Sequence, residues 1–143
     1  MVSVTKIFHF EMAHAIHGYP GACKNIHGHS YELHVSVVAN KVLEGYFPAP
    51  GFIIDFKELK KIVTSAIIEN LDHKLILSRA FLSAHSSFST QENLVTWKEE
   101  PTAENLLAFI SQNLFSKFPV EIKLVKLKLY ETKDSYAEWT AYS

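Results

Sequence analysis

The sequence holds one cysteine, Cys23, in 143 residues, so no disulfide can form within the chain. A chain of that kind suits a reducing compartment, and a cytoplasmic location is expected. Arginine is nearly absent: Arg79 is the single one among 14 basic residues. An anionic ligand must therefore be met mainly by lysines and backbone amides. No apolar run reaches the ~20 residues of a membrane span. The stretch "MVSVTKIFHFEMAH" alternates and carries charge early, so it does not read as a signal peptide. Excess charge is missing as well. The formal net charge of -1 gives no bulk attraction to nucleic acid or to an anionic membrane. Internal repeats and low-complexity segments are absent.

What is present is ordinary for a globular protein: 48% hydrophobic and 20% charged residues, enough for one domain over residues 1–143 with a sizeable core. "VTKIFHFEMAH" has period two, with Phe8, Phe10, Met12 and His14 on one parity, and predicts a strand. "IHGYPGACKN" is a breaker-rich loop, and "HGHSYELHVSVVAN" returns to strand. "FIID" predicts a short strand. "DFKELKKIVTSAIIENL" predicts a helix with Phe56, Leu59, Ile62, Val63, Ala66 and Ile67 on one face, opened by Asp55 with Glu58 as a capping box. The stretch from Ser78 to Pro101 shows no sustained period and predicts an irregular excursion with a short strand at 94–97. "PTAENLLAFISQNLFSKF" predicts a second helix, capped by Thr102, with Leu106, Leu107, Ile110 and Leu114 inward. "VEIKLVKLKLYET" and "YAEWTAY" predict two strands joined by a turn. The order indicates an α+β domain, an antiparallel sheet with helices on one face. Its open edges favour a homo-oligomer that continues the sheet.

"CKNIHGHSYELHV" carries the most specific signal. His27 and His29 are two apart, so on a strand they share a face and can grip one ion. A catalytic zinc takes three protein ligands and keeps one open position. His14 is the best third ligand, because it ends the first strand on the core parity; His17 and His9 are its rivals. Imidazole ligands favour zinc, with cobalt and iron as alternatives. His34 and His85 have no supporting context.

Three further groups stand out. Cys23 sits in a polar loop, where a nearby cation would favour its thiolate; it reads as a reactive thiol, a fourth metal ligand or an inert residue. Asp72 adjoins His73 and can fix its tautomer if the two side chains meet. Glu131 follows Val125, Leu127 and Leu129 on the inward parity of its strand. It reads either as solvated past the strand end or as a carboxylate that accepts paired N–H donors of a guanine-like or pterin edge.

The segments "FEMAH", "CKNIHGHSYEL", "GFIIDFKELK", "LDHKL", "PTAENL" and "YET", in this order over nearly the whole chain, resemble the 6-pyruvoyl-tetrahydropterin synthase family. The resemblance implies a tunnelling fold: a four-stranded antiparallel sheet with two helices on one face. Three subunits then close a barrel, two trimers stack as a hexamer, and active sites lie between subunits. It implies zinc on His14, His27 and His29, a catalytic Cys23 assisted by Asp72 and His73, and Glu131 as the catalytic-site carboxylate that holds the pterin ring. Thr102 and Glu104 match a segment near that ring.

The implied substrate is 7,8-dihydroneopterin triphosphate, from which triphosphate is eliminated. One branch of the family stops at 6-pyruvoyl-tetrahydropterin. The other also releases acetaldehyde and gives 6-carboxy-5,6,7,8-tetrahydropterin, a precursor of queuosine and other deazapurines. The Cys-x3-His-Gly-His spacing resembles the carboxy branch. The segment 76–100 is longer than in short members, which bears on the pocket rim. The rival of another class is a non-catalytic metal- or pterin-binding module. A zinc hydrolase is disfavoured by the lack of a His-Glu-x-x-His arrangement. GTP cyclohydrolase I is disfavoured because it uses cysteines among its zinc ligands.

Overall fold

The structure, a computed structural model, describes residues 1–141. β1 (Ser3–His14) and β2 (His27–Ala39) form a long antiparallel hairpin. Phe8, Phe10, Met12 and His14 are buried while Ile7, His9 and Glu11 are exposed, so the period-two pattern does separate a core face from an outer face.

The expected strand at "FIID" is not formed. Phe52 to Ile54 make a bend that buries Ile54, and Asp55 caps the next helix. Its carboxylate accepts the Lys57 N–H at 2.8 Å, one residue short of the Glu58 N–H that a capping box uses. Helix α1 (Phe56–Val63) continues through a π-helical stretch, Thr64–Ile68, into a last turn, Glu69–Leu71. Leu59, Val63, Ile67 and Leu71, spaced four apart, are its buried stripe. Phe56, expected inward, is 50% exposed at the first helical position.

The excursion is more ordered than its sequence predicts. β3 (Lys74–Ser78), α2 (Arg79–Ala84), a 3-10 turn at Ser86–Thr90 and β4 (Leu94–Trp97) follow in turn. β3 escapes the period-two test because Leu75, Ile76, Leu77 and Ser78 are all buried. A parallel strand covered on both faces has no alternation to read. β3 runs parallel to β1, and β4 parallel to β3. Helix α3 (Ala103–Leu114) is capped by Thr102 Oγ1, which accepts the Asn105 N–H at 3.2 Å, and buries Leu106, Leu107, Ile110 and Leu114.

β5 (Ile122–Thr132) and β6 (Ser135–Thr140) complete the sheet; the expected last strand extends to Tyr142, which lies outside the described residues. The β2–β5 pairing shifts between Ser36 and Val37. This bulge buries Leu124 in place of Val125, so the parity expected to run from Val125 holds only from Leu127 onward. The sheet has six strands in the order β4-β3-β1-β2-β5-β6. The expectation of four antiparallel strands is corrected accordingly: β1, β2, β5 and β6 are antiparallel, and two parallel strands extend the β1 side.

One core joins the helices to the sheet. Leu59, Ile67, Leu106 and Ile110 pack with Phe10, Tyr31, Leu33, Leu127 and Leu129. The opposite face of the sheet carries polar pairs such as the Thr5 and Ser36 hydroxyls, 2.6 Å apart. No helix among the described residues is long and apolar enough to cross a membrane. Leu33 is fully buried at the middle of β2. Leu33→Ala is expected to lower unfolding free energy by about 2–5 kcal/mol, through lost transfer energy and a residual cavity. Urea titration with an unchanged m-value checks this.

Candidate metal centre

The hairpin register places His14 directly across from His27, and Met12 across from His29. All three imidazoles lie on the core face, at the end of the hairpin beside the connecting loop. Their ligand-capable atoms lie within 4.8 Å of one another. The His14 ring centroid is 4.6 Å from that of His27 and 5.2 Å from that of His29.

The surrounding hydrogen bonds fix the tautomers. His14 Nδ1 lies 2.6 Å from the Pro101 carbonyl oxygen, and His27 Nδ1 lies 2.7 Å from that of Asn25. A carbonyl oxygen only accepts, so each Nδ1 carries the proton and donates it. Each neutral ring then presents a bare lone pair at Nε2. The two Nε2 atoms face each other at 3.1 Å, where two lone pairs repel. His29 Nε2 is buried and has no hydrogen-bond partner. Glu131 Oε1 lies 3.1 Å from it, but the approach lacks the alignment of a hydrogen bond. A cation among the three nitrogens removes the repulsion and satisfies the orphaned atom. The donor set therefore fits a metal ion, with backbone carbonyls as the outer hydrogen-bond shell.

Electrostatics agree. Burial lowers the His14 pKa, opposed by the Pro101 bond and the Glu131 charge and reinforced by the two other histidines. Burial also lowers the His29 pKa, opposed by Glu131 and reinforced by His27. Both rings are thus biased toward the neutral form that ligates. His9 and His17, the rivals for the third position, lie outside the cluster.

The other candidate residues are placed as follows. Cys23 lies on a 3-10 turn, Ala22–Lys24, and is half-buried. Its carbonyl accepts the Ile16 N–H at 2.7 Å, which ties the loop shut beside the metal ligands. Its thiol is not part of the ligand cluster. Asp72 and His73 do meet: Asp72 Oδ1 lies 3.0 Å from His73 Nδ1. This is a short contact between the two side chains, beside a ring that is largely in solvent. The pair is anchored to β1, because Asp72 Oδ1 accepts the Glu11 N–H at 2.9 Å and the His73 N–H donates to the Glu11 carbonyl at 2.6 Å. His73 takes φ 62, a left-handed turn that sends the chain from the end of the helix into β3. Its imidazole is 79% exposed. Among the described residues no hydrogen bond joins it to Cys23.

Glu131 ends the inward face of β5, its side chain 29% exposed and directed at His29. Thr102 spends its hydroxyl on the α3 cap, and Glu104 is exposed on the first turn of that helix. The "PTAEN" segment reaches the metal centre through the Pro101 carbonyl instead. Sequence reading missed this contact and that of Asn25, because both are backbone atoms. It also missed Tyr31. Tyr31 is fully buried, stacks on Phe10 at 4.9 Å, and lies 5.5 Å from the His29 ring. Its hydroxyl has no partner, and burial together with Glu131 raises its pKa. Its one sequence signal is parity: it lies two residues after His29.

Fold and site together define an α+β protein that holds a three-imidazole centre at the end of a hairpin. Residues 3–141 match the family model described as 6-pyruvoyl tetrahydropterin synthase, and the chain belongs to that family. It is 31% identical to the 6-carboxy-5,6,7,8-tetrahydropterin synthase of Haemophilus influenzae, over 97% of this chain and 99% of that one. It is 30% identical to a dihydroneopterin monophosphate aldolase of Pyrococcus furiosus, over 85% of this chain and 82% of that one. The 6-pyruvoyl tetrahydropterin synthase structure from Caenorhabditis elegans superposes with a TM-score of 0.68 at 22% identity, covering 99% of this chain and 96% of that one. The protein is therefore a tetrahydropterin synthase-like enzyme.

Proposed function

We propose that this protein converts 7,8-dihydroneopterin triphosphate and water into 6-carboxy-5,6,7,8-tetrahydropterin, acetaldehyde and triphosphate. The observation that carries the reading is the set of three inward Nε2 atoms on His14, His27 and His29, two with Nδ1 committed to carbonyls and one orphaned. Zinc fits this donor set, and when bound it supplies Lewis-acid polarisation of the side-chain oxygens.

The chemistry balances without an outside oxidant. Loss of triphosphate and proton shifts along the side chain move two reducing equivalents into the ring and leave a pyruvoyl group. Water then adds at the ring-proximal carbonyl, the bond between the two carbonyl carbons breaks, and the two-carbon piece leaves as acetaldehyde. Stopping before water addition gives 6-pyruvoyl-tetrahydropterin, the runner-up product. The Cys-x3-His-Gly-His spacing and the name of the Haemophilus influenzae relative favour the carboxy product.

This chain's residues divide the work. Glu131 accepts the pterin amino and ring N–H groups and sets the ring's register. Cys23 takes and returns protons on the side-chain carbons. Asp72 orients His73, whose exposed Nε2 exchanges protons with the thiol of a neighbouring subunit, because the two are not joined within one chain. β4 and β6 are the unpaired edges through which subunits associate as trimers or hexamers. Acetaldehyde release, followed by NADH oxidation with added alcohol dehydrogenase, tests the product. A stoichiometric signal supports the carboxy branch; triphosphate release without acetaldehyde sinks it.

Glu131→Gln is expected to raise KM for the pterin substrate by about tenfold or more. A charge-assisted pair is replaced by a weaker neutral one, and the amide places a donor against a donor. Steady-state kinetics read the effect, and an unchanged KM removes Glu131 from ring recognition.

A further inference from the structure

Among the described residues His73 is the single non-glycine residue at positive φ, with a value of 62°. A left-handed backbone is uncommon for a residue with a Cβ and persists where its surroundings hold it. Two hydrogen bonds do so here. The His73 N–H donates to the Glu11 carbonyl at 2.6 Å, and the His73 carbonyl accepts from the Asn93 side-chain amide at 2.9 Å. One bond grips the peptide group before the Cα and the other the peptide group after it, so together they fix φ and ψ. We propose that Asn93 is a positioning residue for the His73 imidazole. The inference rests on the proton-transfer role given to His73 above, and it gives the excursion between β3 and α3 a part in that role.

Asn93 is itself held in place. It immediately precedes β4, and its carbonyl accepts the Leu75 N–H at 3.1 Å. Leu75 and Leu94 are the first pair of the parallel β3–β4 ladder. The Asn93 side chain adds one contact beyond that pair, at the end of β3 where His73 stands. The Glu11 contact is backbone to backbone and survives any substitution. The Asn93 contact is made by a side chain, so it can be removed.

The ring depends on this clamp because little else orients it. The imidazole is 79% exposed, and its short side-chain contact is with Asp72. Its placement therefore follows the direction of the Cα–Cβ bond, which φ and ψ set. Loss of the Asn93 bond frees ψ, lets residue 73 relax toward the extended region and swings the ring off its position. A displacement of about 1 Å at a reacting group can cost ~100-fold in rate. Asp72 is anchored separately, through the Glu11 N–H at 2.9 Å, so Asn93 acts on the ring and not on the carboxylate.

The test pairs hydrogen exchange with kinetics on the zinc-loaded protein. The variants are Asn93→Ala and Asn93→Leu, the second of which keeps the side-chain branch without the donor. In both, the His73 amide should exchange about fivefold faster or more, the equilibrium size of one hydrogen bond. Exchange in the β1–β2 hairpin and zinc content should stay unchanged. The kcat for the pterin triphosphate should fall roughly tenfold, with KM constant. In a His73→Ala background the same substitutions should cost nothing further, which separates positioning from a general structural effect. Unaltered His73 exchange, an unaltered kcat, or an equal loss in the His73→Ala background overturns the proposal and leaves the reaction standing. Turnover that is absent from the wild type, or insensitive to His73→Ala, sinks the reading beneath it, and the positioning role falls with that reading.

Discussion

Cys23→Ala should lower kcat by about 10²–10⁴-fold, the usual contribution of a positioned proton-transfer group, with zinc content and fold unchanged. The expectation follows from placement. Cys23 is half-buried on a short turn, outside the hydrophobic core and outside the three-imidazole group. Removing its sulfur leaves no large cavity and takes away no ligand. His73→Ala should cost a similar factor if the ring beside Asp72 is the proposed proton-transfer partner of Cys23. If the two groups act as a unit, the double variant loses less than the product of the single losses. The proposed sharing of each site between two subunits adds a sharper test. A mixture of Cys23→Ala and His73→Ala chains, dissociated and reassembled together, should recover part of the activity through hybrid sites. Full activity in Cys23→Ala alone would remove Cys23 from the proton-transfer role.

His27→Ala should reduce bound zinc from about one ion per chain to a small fraction of that, and turnover should fall with it. Two imidazoles cannot complete a site that needs three protein ligands. His27 is the cleanest position for this experiment because it is only partly buried, whereas His14 is 2% exposed and its loss would also open a cavity. Alanine for Asn25 should have little effect on the metal, since the Asn25 group that orients His27 is its backbone carbonyl. Metal analysis after dialysis, with circular dichroism as the control for folding, reads both variants. A His27→Ala protein that keeps its full zinc complement contradicts the three-histidine assignment.

The parts of this molecule that alternate were legible. β1 and β2 show period two because one face is buried and the other is not, and that same parity brings His14, His27 and His29 to one face. The helix stripes were legible for the same reason, apart from Phe56 at the solvent end of α1. Three features were not. β3 is buried on both faces, so its run of Leu75, Ile76 and Leu77 carries no period. The bulge opposite Ser36 and Val37 shifts the β5 parity by one residue, which depends on a pairing the single strand does not encode. The carbonyls of Asn25 and Pro101 fix two ring tautomers from positions 2 and 87 residues away from their histidines, and no side-chain motif marks them.

The proposed reaction is a metal-dependent conversion of one pterin triphosphate into a carboxylated tetrahydropterin. The most direct measurement is mass analysis of the products formed by zinc-loaded protein from 7,8-dihydroneopterin triphosphate in ¹⁸O-labelled water. The account predicts 6-carboxy-5,6,7,8-tetrahydropterin with one labelled carboxyl oxygen taken up in the cleavage step, one acetaldehyde and one triphosphate per turnover, and no product from the His27→Ala protein. An unchanged substrate in the presence of zinc-loaded protein, or equal turnover by His27→Ala, would contradict it.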